Sequence, residues 1–217
     1  MLSDLHSDIA VIPKFKGIIA SQHVATLAVC GDVTHYGDFT KAKEMLKELT
    51  HLSIPVLFVP GNCDPKELIT SHSVYGATNL HENHAEIGGL HFIGIGGSPS
   101  GPFNTPFEMS ENEMKRMLDK THKNLNLQNP FVLISHTPPM GTKVDVLRSG
   151  VHAGSHAIRE FVITKKPRLV LCGHIHEAIG KDLLDGTVVV NPGPAHMGRY
   201  ALVDINEELE VVFDVFK

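Results

Sequence analysis

Short apolar runs rich in Val, Ile and Leu recur along this chain, and each ends in a small cluster of Gly, Asp, Asn or His. The runs are Val24–Val29, Ile54–Val59, Leu90–Ile95, Phe131–Ile134, Leu169–Leu171 and Val188–Val190. Continuous apolar runs of this length are typical of strands that are buried on both faces. The pattern therefore predicts sheets whose strands end in polar loops.

Segments with helical spacing lie between several of these runs. They are Phe39–Leu52, Ser155–Lys165 and Ser110–Lys123, the last of which opens with a capping-box pattern. Asp64, followed by Pro65 and Glu67, predicts the N-cap of a further short helix. Pro and Gly are concentrated in residues 96–107, which predicts a flexible loop there.

After Gly186 the pattern contains strands without helices. The predicted strands are Thr187–Val190, Tyr200–Ile205 and Leu209–Phe216, the last two forming an antiparallel hairpin. Alternating strands and helices with a β-only end indicate an α/β core that carries an added β portion. No repeat, low-complexity segment or linker divides the sequence, so we interpret residues 1–217 as one domain.

Composition excludes several classes of protein. Of the 217 residues, 42% are hydrophobic and 20% are charged, which excludes a disordered chain and a coiled coil. A net charge of −5 without Lys/Arg blocks argues against an electrostatically driven nucleic-acid binder. No apolar run approaches the roughly 18–20 residues of a membrane span, and residues 1–8 lack a signal peptide's basic region. With three widely spaced cysteines, these features predict a cytoplasmic protein with reduced thiols and no membrane partner.

Histidine is over-represented, with 15 copies and no His tract, which makes metal or proton chemistry the first question. Polar clusters at the predicted strand ends supply seven side chains, namely Asp4, His6, Asp32, Asn62, His136, His174 and His176. In open α/β sheets, ligands bind beyond the carboxyl ends of the strands. Imidazole and oxygen donors suit Mn, Fe, Zn, Co or Ni, and seven donors are too many for one tetrahedral ion. They suit two ions that share a carboxylate.

The clusters have a recognisable order. They are Asp-x-His at residues 4–6, Gly-Asp at 31–32, Gly-Asn-x-Asp at 61–64, a single His at 136 and Gly-His-x-His at 173–176. This set resembles the signature of the calcineurin-like metallophosphoesterases, and Asn-Pro-Gly at 191–193 resembles their closing turn. The resemblance covers about residues 4–194. It implies a four-layer α/β/β/α sandwich of two mixed sheets, with the site at one end.

The resemblance also implies two divalent transition metal ions, with manganese expected first and iron, zinc, nickel or cobalt as alternatives. One ion would be held by Asp4, His6, Asp32 and His176, and the other by Asp32, Asn62, His136 and His174. Two such ions about 3.5–4 Å apart lower the pKa of a bridging hydroxide, which would attack a phosphoester in line. Asp32 and Asn62 are therefore expected to be catalytic as well as metal-binding. The expected protein is a hydrolase of a small phosphorylated substrate.

One position departs from the family pattern. Cys63 stands where many members have a His that is thought to protonate the leaving group or bind the phosphate, and Gly-Asn-Cys-Asp resembles a branch of small phosphodiesterases. We therefore favour a phosphodiester substrate over a phosphomonoester or a nucleotide pyrophosphate. His35 is a candidate substitute acid, with a surface turn as its alternative role. His152 is a candidate phosphate-binding residue, with a structural loop role as the alternative.

Three further questions stay open at this point. Only Met1, Leu2 and Ser3 precede Asp4, so the first strand is either clipped short or preceded by residues upstream of the assigned start. A protein-binding scaffold is the alternative function of another class, but the intact set of ligand positions favours an enzyme. The C-terminal hairpin offers an edge for dimer formation.

Overall fold

The computed structural model describes residues 1–125, 130–206 and 208–216. Its helices are α1 (Ile12–Ser21), α2 (Phe39–Thr50), α3 (Lys66–Thr70), α4 (Glu111–Leu125) and α5 (His156–Lys165), with short 3-10 turns at Ile9–Val11 and Ala195–Met197. Its strands are β1 (Leu27–Cys30), β2 (Val56–Val59), β3 (Ser73–Val74), β4 (Ala77–Asn79), β5 (His84–Ile87), β6 (Leu90–Ile95), β7 (Ser98–Pro99), β8 (Glu108–Met109), β9 (Phe131–Ser135), β10 (Leu169–Leu171), β11 (Gly180–Leu184), β12 (Thr187–Asn191), β13 (Arg199–Ile205) and β14 (Leu209–Val215).

Two mixed sheets form the centre of the fold. The first has the order β1-β2-β4-β3 and is parallel except at β3. The second has the order β11-β12-β10-β9-β6-β5, with a parallel centre and an antiparallel strand at each edge. The last two strands form the predicted hairpin, and β7 pairs with β8.

Three hydrophobic cores separate four layers. One core lies between the first sheet and helices α1 and α2, a second lies between the two sheets, and a third lies between the second sheet and helices α4 and α5. Along β1, Leu27 and Val29 belong to the first core, whereas Ala28 and Cys30 face the second sheet. Because both faces of such a strand are buried, its sequence is apolar throughout. The predicted α/β/β/α sandwich is confirmed.

The strand before Asp4 is as short as its sequence indicates. Leu2 makes one parallel bridge to Val29, and its backbone N–H donates to the Ala28 carbonyl at 2.9 Å. On the other side, Met1 exchanges backbone hydrogen bonds with Ala201. These two residues thus lie between β1 and β13 and join the C-terminal hairpin to the first sheet.

All four predicted helices are found, and the three with stated bounds lie within a few residues of those bounds. The capping box is real, because Ser110 Oγ accepts from the Glu113 backbone N–H while Glu113 accepts from that of Ser110. Ser155 likewise caps α5. The prediction that Asp64 caps α3 is wrong: the N-cap position is Pro65, without a side-chain cap bond. The carboxylate of Asp64 is directed instead at the neighbouring loops.

Several elements were not predicted from the sequence. These elements include helix α1 and the short strands β3, β4, β5 and β11. The loop predicted at residues 96–107 is largely irregular but contains β7. Within the described parts of the chain, no helix combines the length and apolar character needed to cross a membrane.

The parallel strands of both sheets end at one edge of the sandwich. At that edge His136, directly after β9, places its Nδ1 2.8 Å from the carbonyl oxygen of Cys30 at the end of β1. The Gly173 N–H, after β10, donates to the His136 carbonyl at 2.9 Å. The polar clusters that follow the strands are thereby brought together.

Buried His81 gives the fold a specific dependence on pH. Its Nδ1 accepts from the Gly96 N–H at 3.0 Å, and burial lowers its pKa to about 4. Between that value and the unfolded pKa of about 6.5, the unfolded chain binds a proton that the folded chain does not, so stability falls as the pH is lowered. We expect His81→Asn, which keeps an acceptor but does not titrate, to remove up to about 3 kcal/mol of this loss. Urea unfolding at pH 7.5 and 4.5 in chelator measures the effect. Exposed His72→Asn should follow the wild type, and equal pH dependence in all three proteins would contradict the prediction.

Candidate metal centre

All seven predicted ligand residues converge at this edge, and they form two adjoining groups. In the first group, His176 Nε2 lies 3.2 Å from Asp4 Oδ1 and 3.2 Å from His6 Nε2. His6 Nε2 is 3.9 Å from the same Asp4 oxygen. One carboxylate oxygen and two imidazole nitrogens thus point at a common volume.

The second group is centred on His136. Its Nε2 lies 2.8 Å from Asn62 Oδ1 and 3.1 Å from His174 Nδ1. His136 Nδ1 donates to the Cys30 carbonyl, so in the neutral ring the other nitrogen, Nε2, carries a lone pair. In that form of the ring, the lone pairs of His136 Nε2 and Asn62 Oδ1 are directed at the same volume, as they would be around a shared cation.

Asp32 lies between the two groups. Its Oδ2 is 4.0 Å from His6 Nε2 in the first group, and its Oδ1 is 3.6 Å from His136 Nε2 in the second. The side chain is almost fully buried. Asp4 also borders both groups, since one of its oxygens lies within 4.8 Å of donor atoms in each.

Backbone conformation aims several of these side chains. Asp4, His6, Asp32 and His174 all have positive φ angles, between 47° and 67°. That region is uncommon for residues with a side chain and costs of order 1–3 kcal/mol each. Four of the seven donors therefore depend on loops that the surrounding structure holds in place.

Two glycines allow these loops to approach each other. A Cβ atom on Gly61 would overlap the side chain and the backbone N of Asp32. A Cβ atom on Gly173 would overlap Ser3 and would lie 2.8 Å from Asp4 Oδ2. The glycine that precedes a ligand in each of these clusters is therefore required by the packing of the neighbouring ligand loop.

The buried carboxylate of Asp64 fastens the Asp32 loop to the Asn62 loop. Its oxygens accept from the backbone N–H groups of Val33 (3.1 Å), Thr34 (2.7 Å) and Gly61 (2.8 Å), and from Thr34 Oγ1 (2.9 Å). Because every contact is a donor, the ionised carboxylate satisfies them all. The residues that follow Asp64 match a helix cap, which predicts a local role. The donors from Val33 and Thr34 lie about 30 positions earlier in the sequence, where a local pattern cannot detect them.

Cys63 helps to orient Asn62. Its Sγ lies 3.4 Å from Asn62 Nδ2, which turns the amide oxygen towards His136. Its backbone N–H donates to Asp32 Oδ1 at 2.9 Å. Burial raises the pKa of the Cys63 thiol, so the sulfur is neutral. The residue positions its neighbours and is not a thiolate ligand.

The donor set fits metal ions. Asp4 Oδ1 is buried and has no hydrogen bond of ordinary geometry among the described residues, although His176 Nε2 lies close to it. Burial lowers the pKa of His6 to about 4 and of His174 to about 3, which leaves both rings in the neutral form that metals bind. Burial raises the pKa of Asp32 to about 7 against the opposing effect of His136, as expected where a buried carboxylate lacks a cation.

Other histidines lie around this centre. The His35 ring is 4.9 Å from that of His6, so the structure brings it beside the first group. His196, which the sequence analysis missed, lies 5.2 Å from His6 and donates from Nδ1 to the Asp4 carbonyl at 2.9 Å. Its position three residues after the Asn-Pro-Gly turn was the available signal. His152 belongs to a separate pair with Asp145.

Comparison with known proteins agrees with this geometry. A family model described as metallophosphoesterase, calcineurin superfamily, matches residues 34–215. An uncharacterized protein of Methanocaldococcus jannaschii is 37% identical over 220 residues, which cover 98% of this chain and 94% of that protein. The chain therefore belongs to the metallophosphoesterases of the calcineurin superfamily, and it is a metal-dependent hydrolase.

Solved structures share the fold at low sequence identity. The TT1561 protein of Thermus thermophilus has a TM-score of 0.75 at 20% identity, covering 97% of this chain and 96% of its own. A dimetal phosphatase from Danio rerio has a TM-score of 0.60 at 13% identity, covering 96% and 89%. A novel archaeal phosphodiesterase has a TM-score of 0.50 at 16% identity, covering 98% and 96%. At these identities the likeness establishes the fold.

Gly61→Ala tests the close approach of the ligand loops. The added methyl group meets backbone and cannot be relieved by a side-chain rotation, so we expect a loss of about 3 kcal/mol together with weaker metal binding. Thermal unfolding and calorimetric titration with Mn²⁺ measure the two effects. The matched control is Gly17→Ala in α1, where a Cβ meets nothing within 4 Å and should stabilise the helix. Similar behaviour of the two variants would contradict the assignment.

Asp64→Asn tests the fastening carboxylate. The NH₂ group that replaces one oxygen is a donor. In one orientation it faces the N–H groups of Val33 and Gly61, and in the other it faces the Thr34 donors. Either orientation lowers the free energy of unfolding by about 2–4 kcal/mol. We expect metal affinity to fall about 10–100-fold, because the ligands themselves are retained but their loops are released. Asp38→Asn at the N-cap of α2 is the control, since Asn caps as well as Asp. Unchanged Mn²⁺ affinity in Asp64→Asn would refute the role.

Proposed function

We propose that the protein hydrolyses a phosphodiester with two divalent metal ions. The observation that carries the proposal is the position of Asp32, whose two oxygens face two separate groups of imidazole and oxygen donors. A carboxylate placed in this way is suited to bridge two ions. A single structural ion would leave several of the seven donors without a use.

The distances support one ligand set for each ion. The first ion is proposed to be held by Asp4, His6, Asp32 and His176, and the second by Asp32, Asn62, His136 and His174. Separations of 2.8–4.0 Å join these donor atoms within each set. Ligands of one ion with bonds of about 2.1 Å lie at similar separations from each other.

When bound, the ions supply the positive charge that binds phosphoryl oxygens and the activation of water as a nucleophile. The residues of the chain orient them. Asp32 sets the distance between the two sites, and the positive-φ loops of Asp4 and His174 direct their donors inward. The amide oxygen of Asn62 is turned to the same volume by Cys63. His35, whose ring lies 4.9 Å from that of His6, remains a candidate for the substitute acid.

A diester is favoured over a monoester because Cys63 provides no imidazole next to Asn62. The likeness in fold to an archaeal phosphodiesterase is consistent with this choice, and that to a dimetal phosphatase is consistent with two ions. Phosphomonoester or nucleotide pyrophosphate hydrolysis is the alternative within the same chemistry. We further propose manganese as the resident metal, a small phosphorylated substrate and a cytoplasmic location. The edge of the C-terminal hairpin is proposed as the contact in a dimer.

Asp32→Asn tests the bridging carboxylate. We expect the wild type to bind two Mn²⁺ per chain and to hydrolyse an aryl phosphodiester, whereas the variant binds at most one ion and loses about 10³-fold or more in kcat. Calorimetry and a parallel screen of mono- and diesters with Mn, Fe, Zn, Ni and Co provide the measurements. Asp185→Asn, at an exposed turn, is the control.

Two results would contradict the proposal. Retained activity in Asp32→Asn would refute the site. A metal-loaded wild type without turnover on any ester would favour the alternative of a protein-binding scaffold, which keeps its metals but has no hydrolytic role.

A further inference from the structure

A buried carboxylate outside the metal groups organises the loop that follows His136. Asp145 has no exposed surface and accepts from the backbone N–H groups of Gly141 (3.0 Å), Thr142 (2.8 Å) and Gly154 (3.1 Å). The Thr142 hydroxyl lies 3.3 Å from Asp145 Oδ1 and donates at a shorter distance, 3.0 Å, to the Pro139 carbonyl. The loop is closed at its base, where the Ser155 N–H donates to the Pro138 carbonyl. Asp145 is therefore a fixed point within a structured loop.

His152 is held by this carboxylate. Its Nδ1 lies 2.7 Å from Asp145 Oδ1, while the side chain is 45% exposed. A ring that donates from Nδ1 to a buried carboxylate presents its Nε2 on the opposite edge. No described group contacts that Nε2, so one imidazole nitrogen is oriented and available. Carboxylate-oriented imidazoles of this kind transfer protons in many hydrolases.

The loop that holds this pair begins directly after His136 and contacts the segment that carries His174 and His176. Residues 145–153 form a small hairpin, in which the Ala153 N–H donates to the Asp145 carbonyl and the Leu147 N–H donates to that of Val151. At its tip the Arg148 N–H donates to Glu177 Oε1 at 3.2 Å. Glu177 follows the proposed ligand His176 directly, so the tip of the hairpin is joined to the segment that carries two of the proposed ligands.

We propose that His152 donates a proton to the leaving group of the phosphoester and that Asp145 is its positioning residue. This inference rests on the proposed function and assigns His152 a proton-donor role in place of the phosphate contact expected from the sequence. An oxygen derived from water forms a bond to phosphorus as the bond from phosphorus to the leaving oxygen breaks. The leaving oxygen keeps the electron pair of the broken bond and takes the proton from His152 Nε2. The ring regains a proton from solvent, and Asp145 stays ionised throughout.

The structure favours His152 over the other two residues considered for this role. Burial raises the pKa of the Cys63 thiol, and its sulfur is occupied with Asn62. His35 lies beside His6, and its ring contacts the rings of His6 and Tyr36, whereas its backbone N–H donates to the Ser7 hydroxyl. None of these is a carboxylate, whereas His152 has one at 2.7 Å.

The test assays the full chain, loaded with Mn²⁺, on two phosphodiester substrates that differ in their leaving group. These are methyl 4-nitrophenyl phosphate and methyl phenyl phosphate. His152→Asn keeps a donor to Asp145 but has no proton at the Nε2 position. We expect it to lose about 10²–10³-fold in kcat on the phenyl ester and less than about 10-fold on the nitrophenyl ester, whose leaving group needs no proton. Asp145→Asn should show the same inequality to a smaller degree.

A second readout is independent of turnover. In the metal-free wild type, proton NMR should show a hydrogen-bonded imidazole N–H that disappears in His152→Asn and shifts in Asp145→Asn. Binding of two Mn²⁺ by His152→Asn should match the wild type. His156→Asn, exposed at the start of α5, is the control that should change neither readout.

The outcomes separate this inference from the proposed function. A wild type inactive on both esters refutes the proposed function, and the inference with it. A wild type active on both, with equal losses on the two esters in His152→Asn, refutes the proton-donor role alone. An unequal loss in His35→Asn instead of His152→Asn would assign the role to His35 and overturn the inference.

Discussion

The site depends on how closely its backbone loops approach each other. Donors from widely separated parts of the chain must meet within a few ångströms, and they do so because Gly61 and Gly173 leave no Cβ between the loops. Asp64 then supplies the attraction that holds two of these loops together, through four donors to one buried carboxylate. The glycines let the loops approach each other and the Asp64 hydrogen bonds hold them there. The same loops can therefore keep the proposed ligands at unfavourable φ angles.

The two layers of sheet give this arrangement its rigidity. Strands β1 and β2 carry Asp32 and Asn62 from one sheet, and strands β9 and β10 carry His136 and His174 from the other. Contact across the sheets at the ligand edge, such as that between His136 and the Cys30 carbonyl, fixes one half of the centre relative to the other. The distance between the two donor groups is thus set by the packing of whole layers and not by loop conformation alone.

The strands and the proposed ligand residues could be predicted from the sequence because both have local signals, whereas the four-layer arrangement was implied by the family resemblance. An apolar run that ends in Gly-Asp, Gly-Asn or Gly-His predicts both the end of a strand and the side chain, Asp, Asn or His, that could bind a metal ion after it. Asp64 was misread because Asp-Pro-Lys-Glu matches a helix cap locally, whereas its true partners, Val33 and Thr34, lie about 30 residues away. Asp145 has no local motif, and His196 is marked only by its position after the Asn-Pro-Gly turn, so tertiary contacts are needed to show their relation to the site. Two-residue strands such as β3 are too short for periodicity to detect.

The contact between Asp4 and His174 has a consequence for how the protein is made. The His174 N–H donates to Asp4 Oδ2 across 170 positions of the sequence. On a ribosome that adds about 5–20 residues per second, the first ligand waits roughly 10–30 s before its partner exists. During that interval the early β-strands are without the neighbours that cover them. The nascent chain therefore passes through a period in which its first donors are present without the pocket that later encloses them.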